Sequence, residues 1–187
     1  MTDDTNSNAN VLAHVFDIVR TERLVLRRPN AGDALAFFQI DGNPATNRFN
    51  PAGPAPDLAA SAARLDEWLR QWQEDGFGYW ALAVPPDSVV MGFGGVRRII
   101  WRDQTVLNLY YKLQPAIWRH GYGAELARTT VSLAQTHLPH LPIIARTRPD
   151  NLASQRTAER AGLLRRPDLD TAEHVIFALE WQAPTFG

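Results

Sequence analysis

The chain has 187 residues, 45% of them hydrophobic and 21% charged, with a formal net charge of −1. That length suits one domain with a sizeable core, and the balanced charge gives no broad electrostatic pull toward nucleic acid or an anionic membrane. The absence of cysteine excludes disulfides, thiolate nucleophiles and cysteine metal sites together. No apolar run is long enough to span a bilayer. The polar, acidic start Met1–Asn10 has neither the basic nor the apolar region of a signal peptide, so a cytoplasmic protein is expected. Residues 1–19 read as a flexible tail and 20–187 as one folded domain.

Glu22-Arg23-Leu24-Val25-Leu26-Arg27-Arg28 alternates polar and apolar residues, as a strand with one buried face does. Pro29 ends it, and Gly32-Asp33 opens a short helix through Ile40. Asp41 to Pro56 is a Gly-, Pro- and Asn-rich loop. Asp57 is placed as the N-cap of a helix whose stripe is Leu58, Ala62, Leu65, Leu69 and Trp72, stopped by Gly76 and Gly78. Tyr79–Val84 and Val89–Trp101 read as a hairpin across Pro85–Ser88, and Arg102-Asp103-Gln104 turns the chain into a third strand, Val106–Leu113. A helix then opens around Gly121–Gly123. Ile143–Thr147 is a short strand, Asn151–Ala161 a helix stopped by Gly162, and Leu163-Leu164 and His174–Trp181 the last two strands. The order describes a single mixed α+β domain.

Strand Val106–Leu113 leads through a short connection into Gly121-Tyr122-Gly123-Ala124 at a helix start. A helix N-terminus presents unpaired N–H groups and the positive end of the dipole, and glycines let a phosphate approach the backbone. The same glycines also suit a tight strand-to-helix turn, and local sequence leaves both readings open. No Gly-Lys-Ser/Thr follows, so the loop is not a Walker motif. The second cluster, Gly92-Phe93-Gly94-Gly95, continues into strand rather than helix, which fits glycine bulges or close backbone packing and not a dinucleotide fingerprint.

Trp118-Arg119-His120-Gly121-Tyr122-Gly123-Ala124-Glu125 resembles the acetyl-CoA pyrophosphate loop of the GNAT superfamily of N-acetyltransferases. More narrowly it resembles the branch of the ribosomal-protein N-terminal alanine acetyltransferases. The superfamily pattern prefers Arg or Gln where Trp118 stands, whereas the branch often begins this loop with Trp. Thr21–Arg27 is similar to the branch's opening strand and Asn43–Phe49 to the loop before its second helix. Asn151-Leu152-Ala153-Ser154-Gln155-Arg156 with Glu159–Leu163 is similar to its Asn-x-x-Ser helix. Four segments in the right order cover residues 20–182. The fold this resemblance implies is a mostly antiparallel mixed sheet with a central parallel pair that splits, flanked by about four helices.

The resemblance implies direct attack of a primary amine, on a protein N-terminus or a small molecule, on the thioester of acetyl-CoA as cosubstrate. No metal is required. It places the pantetheine arm in the gap between Leu107–Leu113 and Ile143–Thr147, paired with backbone near Tyr111 and Leu113 as an added strand would be. A backbone N–H near Leu113 would hold the oxyanion, a donor typically worth ~3 kcal/mol. Arg119, His120, Gly121, Tyr122, Gly123 and Ala124 are its diphosphate residues. Asn151 is either an N-cap or also a cofactor contact. Ser154 matches the position that protonates the departing thiolate, and a local helix hydrogen bond is the alternative. Glu22, Glu74 and Asp75 are undifferentiated candidates for a base. His14, His137, His140 and His174 have no metal spacing. Trp68, Trp72, Trp80 and Trp101 are assigned first to core, with an acceptor-pocket wall as the alternative for Trp68 and Trp72. A monomer or homodimer is expected, with no nucleic-acid or membrane partner. The competing function is a non-catalytic acyl-CoA sensor on the same fold.

Overall fold

The computed structural model describes residues 12–182. Its elements are helix α1 (residues 12–16), strands β1 (Ile18–Arg20) and β2 (Val25–Arg27), helices α2 (Ala34–Asp41) and α3 (Leu58–Asp75), and strands β3 (Tyr79–Ala83), β4 (Val90–Trp101) and β5 (Gln104–Leu113). Then follow α4 (Tyr122–His137), β6 (Ile143–Thr147), α5 (Leu152–Arg160), β7 (Leu164–Arg165) and β8 (Val175–Leu179). The eight strands form one open sheet in the order β1-β2-β3-β4-β5-β6-β8-β7. The neighbours β1–β2, β2–β3, β3–β4, β6–β8 and β7–β8 are antiparallel. The β5–β6 pair is parallel, and its register is Leu107↔Ile143 and Asn108↔Ile144. Both strands run on beyond that register, to Leu113 and Thr147.

Local signals account for the boundaries. Asp57 caps α3 by accepting from the Ala60 N–H at 2.8 Å, and Gly76 ends it at φ 74°. Arg102 and Asp103, at φ 49° and 59°, form the two-residue connection between β4 and β5, the form of a type I′ hairpin turn. Gly92 is bare because a Cβ there would stand 2.4 Å from Leu113 Cδ2. The second glycine cluster is therefore close packing.

The chain divides into two compact units, one running to Gly95 and resuming over Tyr111–Tyr122, the other comprising Val96–Tyr110 and the residues from Gly123 on. The first has an aromatic core. Phe37 meets Trp68 edge-on at 4.7 Å and Phe93 at 5.0 Å, and Trp68 meets Tyr79 at 4.8 Å. The second is built on Val106, Ile144, Leu169, Ile176, Ala178 and Trp181.

Two expectations change. The run Glu22–Arg28 is strand only over Val25–Arg27, because Thr21 N–H donates to Leu24 O at 3.0 Å and Leu24 N–H to Thr21 Oγ1 at 2.9 Å, closing a turn. The tail expected over residues 1–19 does not reach 19: residues 12–16 are helical and β1 pairs with β2. Phe16 is fully buried, stacks on Trp80 at 5.8 Å, and its carbonyl accepts the Trp80 indole N–H at 2.5 Å. Residues 1–11 lie outside the described residues. We expect Phe16→Ala to cost about 3–5 kcal/mol, read by urea unfolding. A tail residue would show no change.

Candidate active site

The site begins with the alternation of β5. Gln114 N–H donates to Met91 O of β4 at 2.8 Å, and Lys112 O lies on the same side, against Gly92. Successive residues of a strand present their backbone groups to opposite edges. The N–H and C=O of Tyr111 and Leu113 therefore face away from β4. The Leu113 carbonyl accepts the Trp118 indole N–H at 2.7 Å, so this indole folds the loop back onto the strand that precedes it.

Beyond Pro115–Ile117, a 3-10 turn, Arg119 and Gly121 adopt φ 67° and 82°, and α4 starts at Tyr122. Arg119, His120 and Gly121 are exposed, Tyr122 and Gly123 partly so, and Ala124 is buried in the first turn. Of the expected diphosphate residues, Arg119, His120 and Gly121 thus form an exposed loop, and Tyr122, Gly123 and Ala124 the first turn of a 16-residue helix, where N–H groups and the dipole favour an anion. Tyr111, Leu113 and Arg119–Tyr122 belong to one unit.

Asn151 and Ser154 belong to the other. Asn151 Oδ1 accepts from Ser154 N–H at 3.1 Å, making Asn151 the N-cap of α5. Gln155 Nε2 ties the same turn down by donating to Arg148 O at 3.1 Å and Pro149 O at 2.8 Å. Ser154 is partly buried, whereas Arg156 and Arg160 are exposed, as a solvated helix face should be. Glu22 and Glu74 are exposed, and Asp75 accepts from Gln71 Nε2 at 3.4 Å. None of the three is distinguished as a base. Trp68 and Trp72 are 6% and 1% exposed, so both are core.

A family model described as Acetyltransferase (GNAT) domain matches residues 23–164. The chain belongs to the GNAT acetyltransferase domain family. It is 24% identical over 148 residues to an uncharacterized N-acetyltransferase, YoaA, of Bacillus subtilis, covering 79% of this chain and 83% of that one. An acetyltransferase crystal structure from Agrobacterium tumefaciens superposes with a TM-score of 0.74 at 23% identity, covering 88% and 94% of the two chains. The ribosomal-protein-S5-alanine acetyltransferase of Vibrio fischeri shares the fold at a TM-score of 0.67 and 14% identity, covering 89% and 99%. Family membership makes acetyl transfer, with acetyl-CoA as the typical donor, the general activity of this GNAT domain.

One feature of this GNAT domain escaped the sequence reading. Lys112, the sole lysine, donates to Asn47 Oδ1 at 2.8 Å and Asp41 Oδ1 at 3.2 Å. Asp41 is buried and also takes Arg64 Nη1 on both oxygens, at 2.8 and 2.7 Å. Asn47 Nδ2 donates to Asp41 O at 2.7 Å and Asn43 O at 2.8 Å. The ammonium thus joins the end of α2, the loop after it and the end of β5. Burial lowers the Lys112 pKa, opposed by the Asp41 charge.

We expect Lys112→Met to cost about 1–3 kcal/mol, since it removes two charge-assisted hydrogen bonds, although Asp41 keeps Arg64 and Asn47 Oδ1 keeps Asn50 Nδ2 at 2.9 Å. A lowered folded pKa means the native state binds fewer protons than the unfolded chain between that pKa and 10.5. Wild-type stability should therefore rise relative to the Met variant as pH climbs through that window. Urea unfolding from pH 7 to 10 checks both, and a flat difference would contradict the second.

Proposed function

We propose that the protein transfers the acetyl group of acetyl-CoA to a primary amine, on a protein N-terminus or a small molecule, without a covalent enzyme intermediate. The observation that carries this reading is the β5 edge of Tyr111 and Leu113, facing away from β4 and running directly into the exposed loop Arg119–Tyr122 at a helix start. Amides along the pantetheine arm pair with that edge as an added strand, and the diphosphate sits on the N–H groups of Gly121, Tyr122, Gly123 and Ala124. Arg119 and His120 add charge at the rim.

The neutral amine nitrogen attacks the thioester carbon. The carbonyl oxygen takes the developing negative charge, which the Leu113 N–H stabilises. Collapse of the tetrahedral intermediate breaks the C–S bond, and Ser154 Oγ protonates the departing thiolate. The amine's excess proton passes to water, and a proton taken back from water restores the Ser154 hydroxyl. An α-amine with a reference pKa of ~8 is partly neutral near pH 7, and a thiol of pKa ~8.5 is a fair leaving group, so neither proton transfer needs a strong catalyst. Asn151 holds the α5 turn that carries Ser154.

Release of free thiol from acetyl-CoA across a library of amines and N-terminal peptides tests the activity. Binding of acetyl-CoA without turnover on any amine would favour the sensor. We expect micromolar binding of acetyl-CoA, abolished by Gly121→Val with Gly123→Val. A β-branched residue at φ 82° is strained, and its bulk bars the anion. Calorimetry showing unchanged affinity in that folded variant would remove the loop from the site. We further expect Ser154→Ala to lower kcat more than it changes KM for acetyl-CoA, the signature of a group used only in the transition state. A kcat within about twofold of wild type would return Ser154 to a local helix hydrogen bond.

A further inference from the structure

An exposed loop with two residues in left-handed conformations needs something to hold it. The side chain that reaches it from far off in sequence is Arg23, in the turn closed by Thr21 and Leu24. Arg23 Nη1 donates to His120 O at 2.9 Å. Its guanidinium carbon stands 5.0 Å from the centroid of the Tyr122 ring, which stacks with the His120 ring at 5.7 Å and 19°. A Cβ built on Gly121 would be 3.5 Å from Arg23 Nη2. One cation therefore addresses three consecutive loop residues.

We propose that Arg23 sets the orientation of the His120–Gly121 peptide and so aims the Gly121 N–H at the cofactor diphosphate. This rests on the loop being the diphosphate site. In a trans peptide the C=O and the following N–H point in opposite directions. The His120 oxygen is held on the guanidinium, so the Gly121 N–H points away from Arg23. Glycine adopts either sign of φ at little cost, which leaves this peptide plane free to flip unless a tether fixes it. A flipped plane would turn a carbonyl oxygen, rather than an N–H donor, toward the anion. The Tyr122 ring seats the guanidinium through a cation–π contact, and the His120 ring stacks on that seat. Arg23 is thus a positioning residue, acting through the backbone it holds.

The test compares the wild-type full-length chain, Arg23→Met and Arg23→Lys. Calorimetry measures CoA, ligand-observed NMR measures pantetheine, which lacks the diphosphate, and thermal melting of the unliganded protein verifies folding. We expect Arg23→Met to weaken CoA about tenfold and pantetheine by less than about twofold, as loss of one charge-assisted hydrogen bond at the diphosphate would. Arg23→Lys, which keeps a cation and a donor, should fall between. A Met variant that does not fold leaves the comparison to the Lys variant. Failure of the wild type to bind CoA removes the cofactor reading and this inference with it. A wild type that binds CoA, with variants that bind it equally well or lose CoA and pantetheine to the same extent, overturns the role of Arg23 alone.

Discussion

The end of strand β5 is clamped on both of its faces, and the candidate site depends on that clamp. On one face Leu113 presses against a glycine that has no room for a Cβ. On the other, Lys112 is tied to Asp41 and Asn47. Alternation makes the two restraints independent, because neighbouring residues of a strand point to opposite sides. What the clamp leaves is the in-plane edge, where the backbone of Tyr111 and Leu113 faces away from β4. The Trp118 indole then returns to Leu113 O, so the loop after the strand inherits the strand's position. Charge stabilisation at a reacting carbonyl requires preorganised backbone donors, and in the proposed reaction this strand end and loop are where they would stand.

Features specified within a few residues of sequence were legible. Asp57 and Gly76 bracket α3 because an N-cap carboxylate and a left-handed C-terminal glycine are local devices. Asn151 was readable as an N-cap for the same reason. Ile143–Thr147 was legible as a short strand opening on Ile143-Ile144-Ala145 and has the bounds read for it. The three-residue strand β1 was not, because its burial alternates without an apolar face to betray it and its outer residue Ile18 is 61% exposed. Phe16 was read within the flexible tail expected over residues 1–19, yet its place is fixed by Trp80, 64 positions away.

The polar contacts that hold the site lie beyond any local pattern. Lys112 reaches Asn47 across 65 positions and Arg23 reaches His120 across 97. Periodicity reports which face of an element is apolar, and it carries no information on which distant carbonyl a guanidinium will find. The glycine loop was visible as a motif, whereas the Arg23 hydrogen bond to His120 O was not. Ser154 and Asn151 show the complementary case: the helix geometry is explained by capping alone, so any chemical role must come from turnover and not from the fold.

Lysine at position 112 stands against the chain's own habit, since every other basic side chain among the nineteen is arginine. The geometry supplies a reason. Asp41 already receives an arginine, with Arg64 Nη1 on both of its oxygens. The second cation must serve one oxygen of that carboxylate and an amide oxygen of Asn47 on a different element, from a site that is 11% exposed. A planar guanidinium fork favours two acceptors lying in its own plane, as a carboxylate or phosphate presents them. A compact ammonium with three tetrahedral donors accommodates two acceptors of unrelated orientation. The loop bearing Asn47 can therefore be drawn onto the end of β5 without disturbing the Asp41–Arg64 pair, which keeps the buried carboxylate neutralised while the strand below it is positioned.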